Sequence, residues 1–193
     1  MKKGIRKNQD GFTLVELVVT FAMIAIFMTA AIQIMGSATR IHDRMDNMTK
    51  SEVIADTLME NVVGEISSAS SAVIPESGAE NAACFIENGD SFDTLYFYDK
   101  NLNHAQVFVD VDGYLLFRYQ NTDITGEIKD WHWYLGNDAM MNNKITKLKF
   151  DPVDDLNVIK ATMELTNEHT GFRYEISKMI KCYNLSTGTI VKS

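Results

Sequence analysis

The sequence predicts an α+β protein in which one long N-terminal helix packs on an antiparallel β-sheet. Three observations predict it. An apolar run from residue 11 to residue 38 carries one formal charge, Glu16. Apolar residues then recur at helical spacing as far as Ile66. After a loop-rich stretch, short alternating segments separated by turn residues follow one another, the pattern of antiparallel strands.

The helix comes first. At about 1.5 Å per residue the apolar run is long enough to cross a hydrocarbon core of about 30 Å. A carboxylate in lipid is costly, so Glu16 needs a shallow position or a partner. The leader at residues 1–11 holds Lys2, Lys3, Arg6 and Lys7 against Asp10. That excess of cations keeps the leader cytoplasmic and sends the rest across. A conventional signal is cut after its apolar core, here at Thr29-Ala30-Ala31 or Gly36-Ser37-Ala38, and would release a soluble protein. An acidic residue inside such a core is unfavourable, and the better junction lies before it, between Gly11 and Phe12. An uncut single-pass anchor is the third reading of the same segment.

The basic leader, Gly11, the aromatic Phe12, the Thr13-Leu14-Val15-Glu16-Leu17 stretch and the apolar run together resemble the class III signal of type IV prepilins and type II secretion pseudopilins. The resemblance implies cleavage after Gly11 by a prepilin peptidase, which also methylates the new amine on Phe12. It implies that Glu16 docks the subunit into a growing filament by pairing with the terminal amine of a neighbour. The physics agrees, because cleavage creates a cation one helical turn from Glu16, and the two relieve each other's desolvation. Many major pilins carry a proline partway down this helix. Here Gln33 stands in that register and the prolines are Pro75 and Pro152. The departure points to a minor subunit rather than a major one.

Beyond the apolar run, Ile41, Met45, Met48, Ile54, Leu58, Val62 and Ile66 continue the helical stripe, with Arg44, Asp46, Lys50, Glu52 and Asp56 on other sides. The stop falls at Ser67-Ser68-Ala69-Ser70-Ser71, ahead of Pro75. The expected organisation is a leader over 1–11, a membrane and assembly half of the helix over 12–38, an extracytoplasmic half over 39–67, and a head over 68–193. In the head, residues 68–91 read as a connection with Cys84-Phe85-Ile86 as an apolar island. Strands are expected at Thr94 to Tyr98, at Gln106 to Val111 and Tyr114 to Tyr119 around an Asp112-Gly113 turn, and at Lys129 to Leu135. Further strands are expected around Thr146, Leu148 and Phe150, over Ile159 to Leu165, and from Tyr174 to Cys182. Lys178 interrupts the apolar face of that last strand, which marks a bulge or an edge. This order fits the pilin-like roll.

Chemistry is sparse. His42, His104, His132 and His169 are scattered without metal-ligand spacing. Asp110-Val111-Asp112-Gly113 has part of a calcium loop but lacks the closing glutamate, and a hairpin turn explains it better. Asp151, Asp154 and Asp155 cluster around Pro152. Some pseudopilins bind calcium in such loops, which makes calcium the one cofactor to consider. Neither a catalytic triad nor a phosphate loop is evident, so no catalytic residue is assigned and the protein is read as a non-enzyme. Cys84 and Cys182 either pair as a disulfide, closing a loop worth at most about 4.7 kcal/mol in the entropy model, or stay as buried free thiols. The formal charge is -8, and without the leader 14 basic residues face 25 acidic ones, a net of -11. Such an exterior does not favour phosphate backbones, so no nucleic-acid partner is expected.

These readings converge on a structural prepilin-like subunit, a minor pilin or pseudopilin, assembled through its helix into a filament of a secretion, competence or adhesion machine. Its expected partners are the prepilin peptidase, other pilin or pseudopilin subunits and a membrane assembly platform. Its expected location is a single-pass membrane protein with the head extracytoplasmic, then a periplasmic or extracellular filament. The rival is a membrane-anchored extracytoplasmic binding domain that never polymerises.

Overall fold

A computed structural model describes residues 13–70, 82–122, 127–135, 137–153, 157–185 and 190–193. The secondary structure begins with helix α1 (Leu14–Ser67). It continues through strands β1 (Cys84–Glu87), β2 (Thr94–Tyr98), β3 (His104–Val109), β4 (Leu115–Thr122) and β5 (Ile128–Tyr134). A short α2 (Asn137–Met140) precedes β6 (Asn143–Val153), β7 (Val158–Asn167), β8 (Arg173–Lys181) and β9 (Ile190–Lys192). The chain divides into two compact units, the first ending at Met45 and the second running from Asp46 to Ser193.

In the first unit, α1 is a continuous apolar helix. Its best 18-residue window has a mean hydropathy of 2.3 with none of it buried. Its hydroxyls are satisfied within the helix: Thr20 Oγ1 donates to Leu17 O and Thr29 Oγ1 to Ile26 O, each at 2.8 Å. Ser37 and Thr39 do the same toward Ile34 O and Gly36 O. Hydroxyls paired in this way suit a medium that cannot supply partners. The helix passes Gln33 and Gly36 unbroken, as the missing proline predicts.

The second unit is the head. Its part of α1 buries Ser51, Ile54, Ala55, Leu58, Met59, Val62 and Ile66, a stripe with steps of one, three or four residues. Ile41, Met45 and Met48, expected in that stripe, are exposed, so the covered stretch starts at Ser51 rather than at Ile41. The stripe joins one core with Leu95, Phe97, Val107 and Phe117 from one sheet and Leu148, Phe150, Met163 and Leu165 from another. At the head of the stripe the Ser51 hydroxyl donates to Asn143 Oδ1 at 2.8 Å, so the buried polar groups are paired.

The fold class holds, with the β structure split in two. A six-stranded sheet has the order β5-β4-β3-β2-β1-β9, and a three-stranded sheet the order β6-β7-β8. All pairs are antiparallel except β1 with β9. The apolar island is therefore a strand, with Cys84 and Ile86 buried and paired to Phe97 and Leu95. The sheets are tied through the backbone by Asp93 N to Leu148 O at 2.8 Å and Ile145 N to Gly113 O at 2.9 Å.

The alternation expected around Thr146 is shifted by a bulge between Ile145 and Lys147. Ile145 and Leu148 are buried while Thr146 is the exposed extra residue. β7 faces as expected, with Ile159, Ala161, Met163 and Leu165 in the core. β8 is an edge strand in unbroken register with β7. Its Lys178 reaches Asp56 and Glu60 on α1, which explains a cation on the side that faces the helix.

Candidate functional site

The start of α1 is the first candidate. Gly11 and Phe12, the expected cleavage and methylation positions, lie outside the described residues. Thr13 and Glu16 lie within them and cap the helix reciprocally. Glu16 Oε2 accepts from Thr13 N at 3.0 Å and from Thr13 Oγ1 at 3.1 Å, while Glu16 N donates to Thr13 Oγ1 at 3.3 Å. This is a capping box, Thr-x-x-Glu, and its signature was present in the sequence. Glu16 is exposed in the single chain, as are apolar side chains on both sides of it: Leu14 at 80%, Val15 at 69% and Phe27 at 71%. An apolar surface of this extent is stable only in lipid or against other helices. A carboxylate held in the first turn meets either one at its polar end.

Asp110 Oδ1 accepts from Asp112 N at 3.0 Å and Tyr114 N at 2.8 Å, so it closes the β3–β4 turn. Asp154 and Asp155 lie outside the described residues, and Asp151 pairs with Lys192 at 2.8 Å. Among the described residues no three His, Cys, Asp or Glu side chains gather in a metal-holding group. Residues 186–188 are also outside the described set, and Ile190–Lys192 after them form β9.

Cys84 and Cys182 are both buried and unbonded, and their thiols are in hydrogen-bonding contact. That contact and burial push the Cys84 thiol well above its ordinary range. A protonated, enclosed thiol is unreactive at neutral pH.

Sequence reasoning missed one buried cluster. Asp93 has no exposed side-chain surface and pairs with Lys149 at 2.9 Å and Lys192 at 3.0 Å. Its carboxylate also accepts from Phe150 N at 3.0 Å and Gly89 N at 3.2 Å. Burial alone would raise its pKa, but these donors outweigh burial and hold it below the usual carboxylate range. The cluster fastens β9 and β6 to the loop before β2. Its members are too far apart in sequence for any local pattern to join them.

Residues 6–32 match the family model of the prokaryotic N-terminal methylation motif. No curated protein matches the chain.

Proposed function

Starting from a chain that carries the class III signal peptide of type IV pilins, we propose that this protein is a structural pilin-like subunit, a minor pilin or pseudopilin. A prepilin peptidase cuts between Gly11 and Phe12 and methylates Phe12. The mature helix then leaves the membrane for a helical bundle with other pilin-type subunits, guided by a membrane assembly platform. Glu16 pairs with the terminal amine of a neighbouring subunit, and the head stays on the extracytoplasmic side. The chemistry is assembly and not catalysis.

The observation that carries this reading is the methylation motif placed on an exposed apolar helix whose first turn holds a lone carboxylate. The unbroken course of α1 through Gln33 favours the minor subunit.

The test is a Gly11→Val variant of the full chain expressed in its native host. The leader should stay on, and the protein should vanish from the sheared filament fraction while remaining in the membrane. Cleavage of the variant at the same bond would contradict the processing site. A correctly processed wild-type chain that never enters the sheared fraction would favour the non-polymerising anchor.

A further inference from the structure

The head holds a cleft between α1 and the edge strand β5. Two adjoining hollows of about 330 and 190 Å³ share Glu65 and Tyr119 in their walls. One wall is α1, and the other is an aromatic ladder. Tyr119 lies against Trp131 with ring centroids 5.7 Å apart and planes 15° from parallel. Phe117 meets Trp133 at 5.4 Å. Both indoles remain 42% exposed although their neighbours Phe117 and Tyr119 turn toward the core. The strand that carries them, β5, is exposed at every position.

The polar groups of this cleft are mixed in sign and type. Glu65 accepts the Tyr119 hydroxyl, and burial together with that carboxylate pushes the phenol far up, so it stays a donor. A carboxylate offers about four acceptor sites, so Glu65 keeps acceptors for a ligand. Lys100 brings a cation and Asn101 an amide to the larger hollow. Asp99, by contrast, is spent on Asn101 N, Asn103 N and Asn103 Nδ2, all within 2.8 Å, and shapes the mouth.

Part-exposed indoles beside groups that both donate and accept match a pyranose. Its C–H face stacks on an aromatic ring and its hydroxyls need donors and acceptors together. An organic cation fits less well, because Lys100 offsets Glu65. An anion fits less well, because Glu65 and Asp99 oppose it. We propose that the cleft between α1 and β5 is a binding site for a neutral saccharide.

The chain has two tryptophans, and both are in this cleft, so tryptophan fluorescence, excited selectively over tyrosine, reports this site alone. The full-length protein is titrated in a polyoxyethylene detergent, which brings neither sugar nor indole. The probes are chitotriose and cellotriose, with choline chloride as the cationic comparison. One of the sugars should give a saturable change with a millimolar midpoint, and choline none. Trp131→Ala should weaken sugar binding about tenfold, the worth of one aromatic stack. Glu65→Gln should weaken it several-fold, with the melting curve unchanged. No saturable response to either sugar up to about 100 mM, far above a millimolar midpoint, would overturn the proposal. So would an unchanged titration in Trp131→Ala, or a response to choline in place of sugar.

Discussion

Replacing Asp93 by alanine tests how the head is fastened. The substitution removes an acceptor for four donors: Phe150 N, Gly89 N, Lys149 Nζ and Lys192 Nζ. Truncating one partner of a buried ion pair costs about 3–5 kcal/mol. Two features place this case at the lower end. The lysine side chains are 20–21% exposed, so water reaches them. Lys192 also keeps Asp151 and the Phe150 carbonyl, at 2.8 and 2.7 Å. The expected loss is about 3 kcal/mol for Asp93→Ala. For Asp93→Asn, which keeps the shape and an acceptor, about 1–2 kcal/mol is expected.

A chain of this size loses about 2–4 °C of melting temperature per kcal/mol, so the alanine variant should melt about 6–12 °C lower. Thermal and urea unfolding of the full chain read this directly. The pH dependence has a fixed sign. The folded pKa of Asp93 is depressed, so its stabilisation is present above the unfolded value of about 3.9 and is lost as the pH falls through the folded value. The gap between wild type and Asp93→Ala should therefore close in strong acid. A variant within about 0.5 kcal/mol of wild type at neutral pH, or a gap that persists in acid, would refute the reasoning.

Three further outcomes are expected. Thr13→Ala removes the cap but leaves the carboxylate, so it should enter filaments while Glu16→Ala does not. Equal defects in a filament-shearing assay would mean that Glu16 acts only through the cap. Gly113→Ala puts a Cβ 3.0 Å from Lys144 Cβ at a φ of +84° and should cost about 1–3 kcal/mol in unfolding experiments; a neutral result would mean that the β3–β4 turn relaxes freely. Refolding with oxidised glutathione should join Cys84 to Cys182 within one chain and reduce the alkylatable thiols from two to none. Two thiols surviving that treatment would contradict their contact in the core.

Local pattern carried much of this fold. The helix expected from Phe12 to Ser67 is α1, described from Leu14 to Ser67, and the Thr94 to Tyr98 strand has its expected bounds. Both rest on long or strongly patterned segments with clear stop signals. The Asp112-Gly113 hairpin was legible because a turn needs Gly113 at positive φ. Tertiary features were not legible. Cys84–Glu87 and Ile190–Lys192 are strands through long-range pairing, the first with Thr94–Tyr98 and with the second, and neither is long enough to show a period alone. The split into two sheets, and the Asp93–Leu148 bond that ties them, rest on pairings that no window of sequence contains. At the candidate site, Glu16 stood out because a lone carboxylate in an apolar run is costly. Its bond to Thr13, three residues earlier, was not among the expectations although the Thr-x-x-Glu signature is local. The cleft at Trp131 and Trp133 was invisible because it needs α1 and β5 side by side.

The central claim is processing and assembly as a pilin-type subunit. Intact mass and N-terminal sequencing of the protein from its native membrane test it most directly. A mature chain beginning at methylated Phe12 is the predicted result. A chain beginning after Ala31 or Ala38, or one that still carries Lys2, Lys3, Arg6 and Lys7, would contradict it.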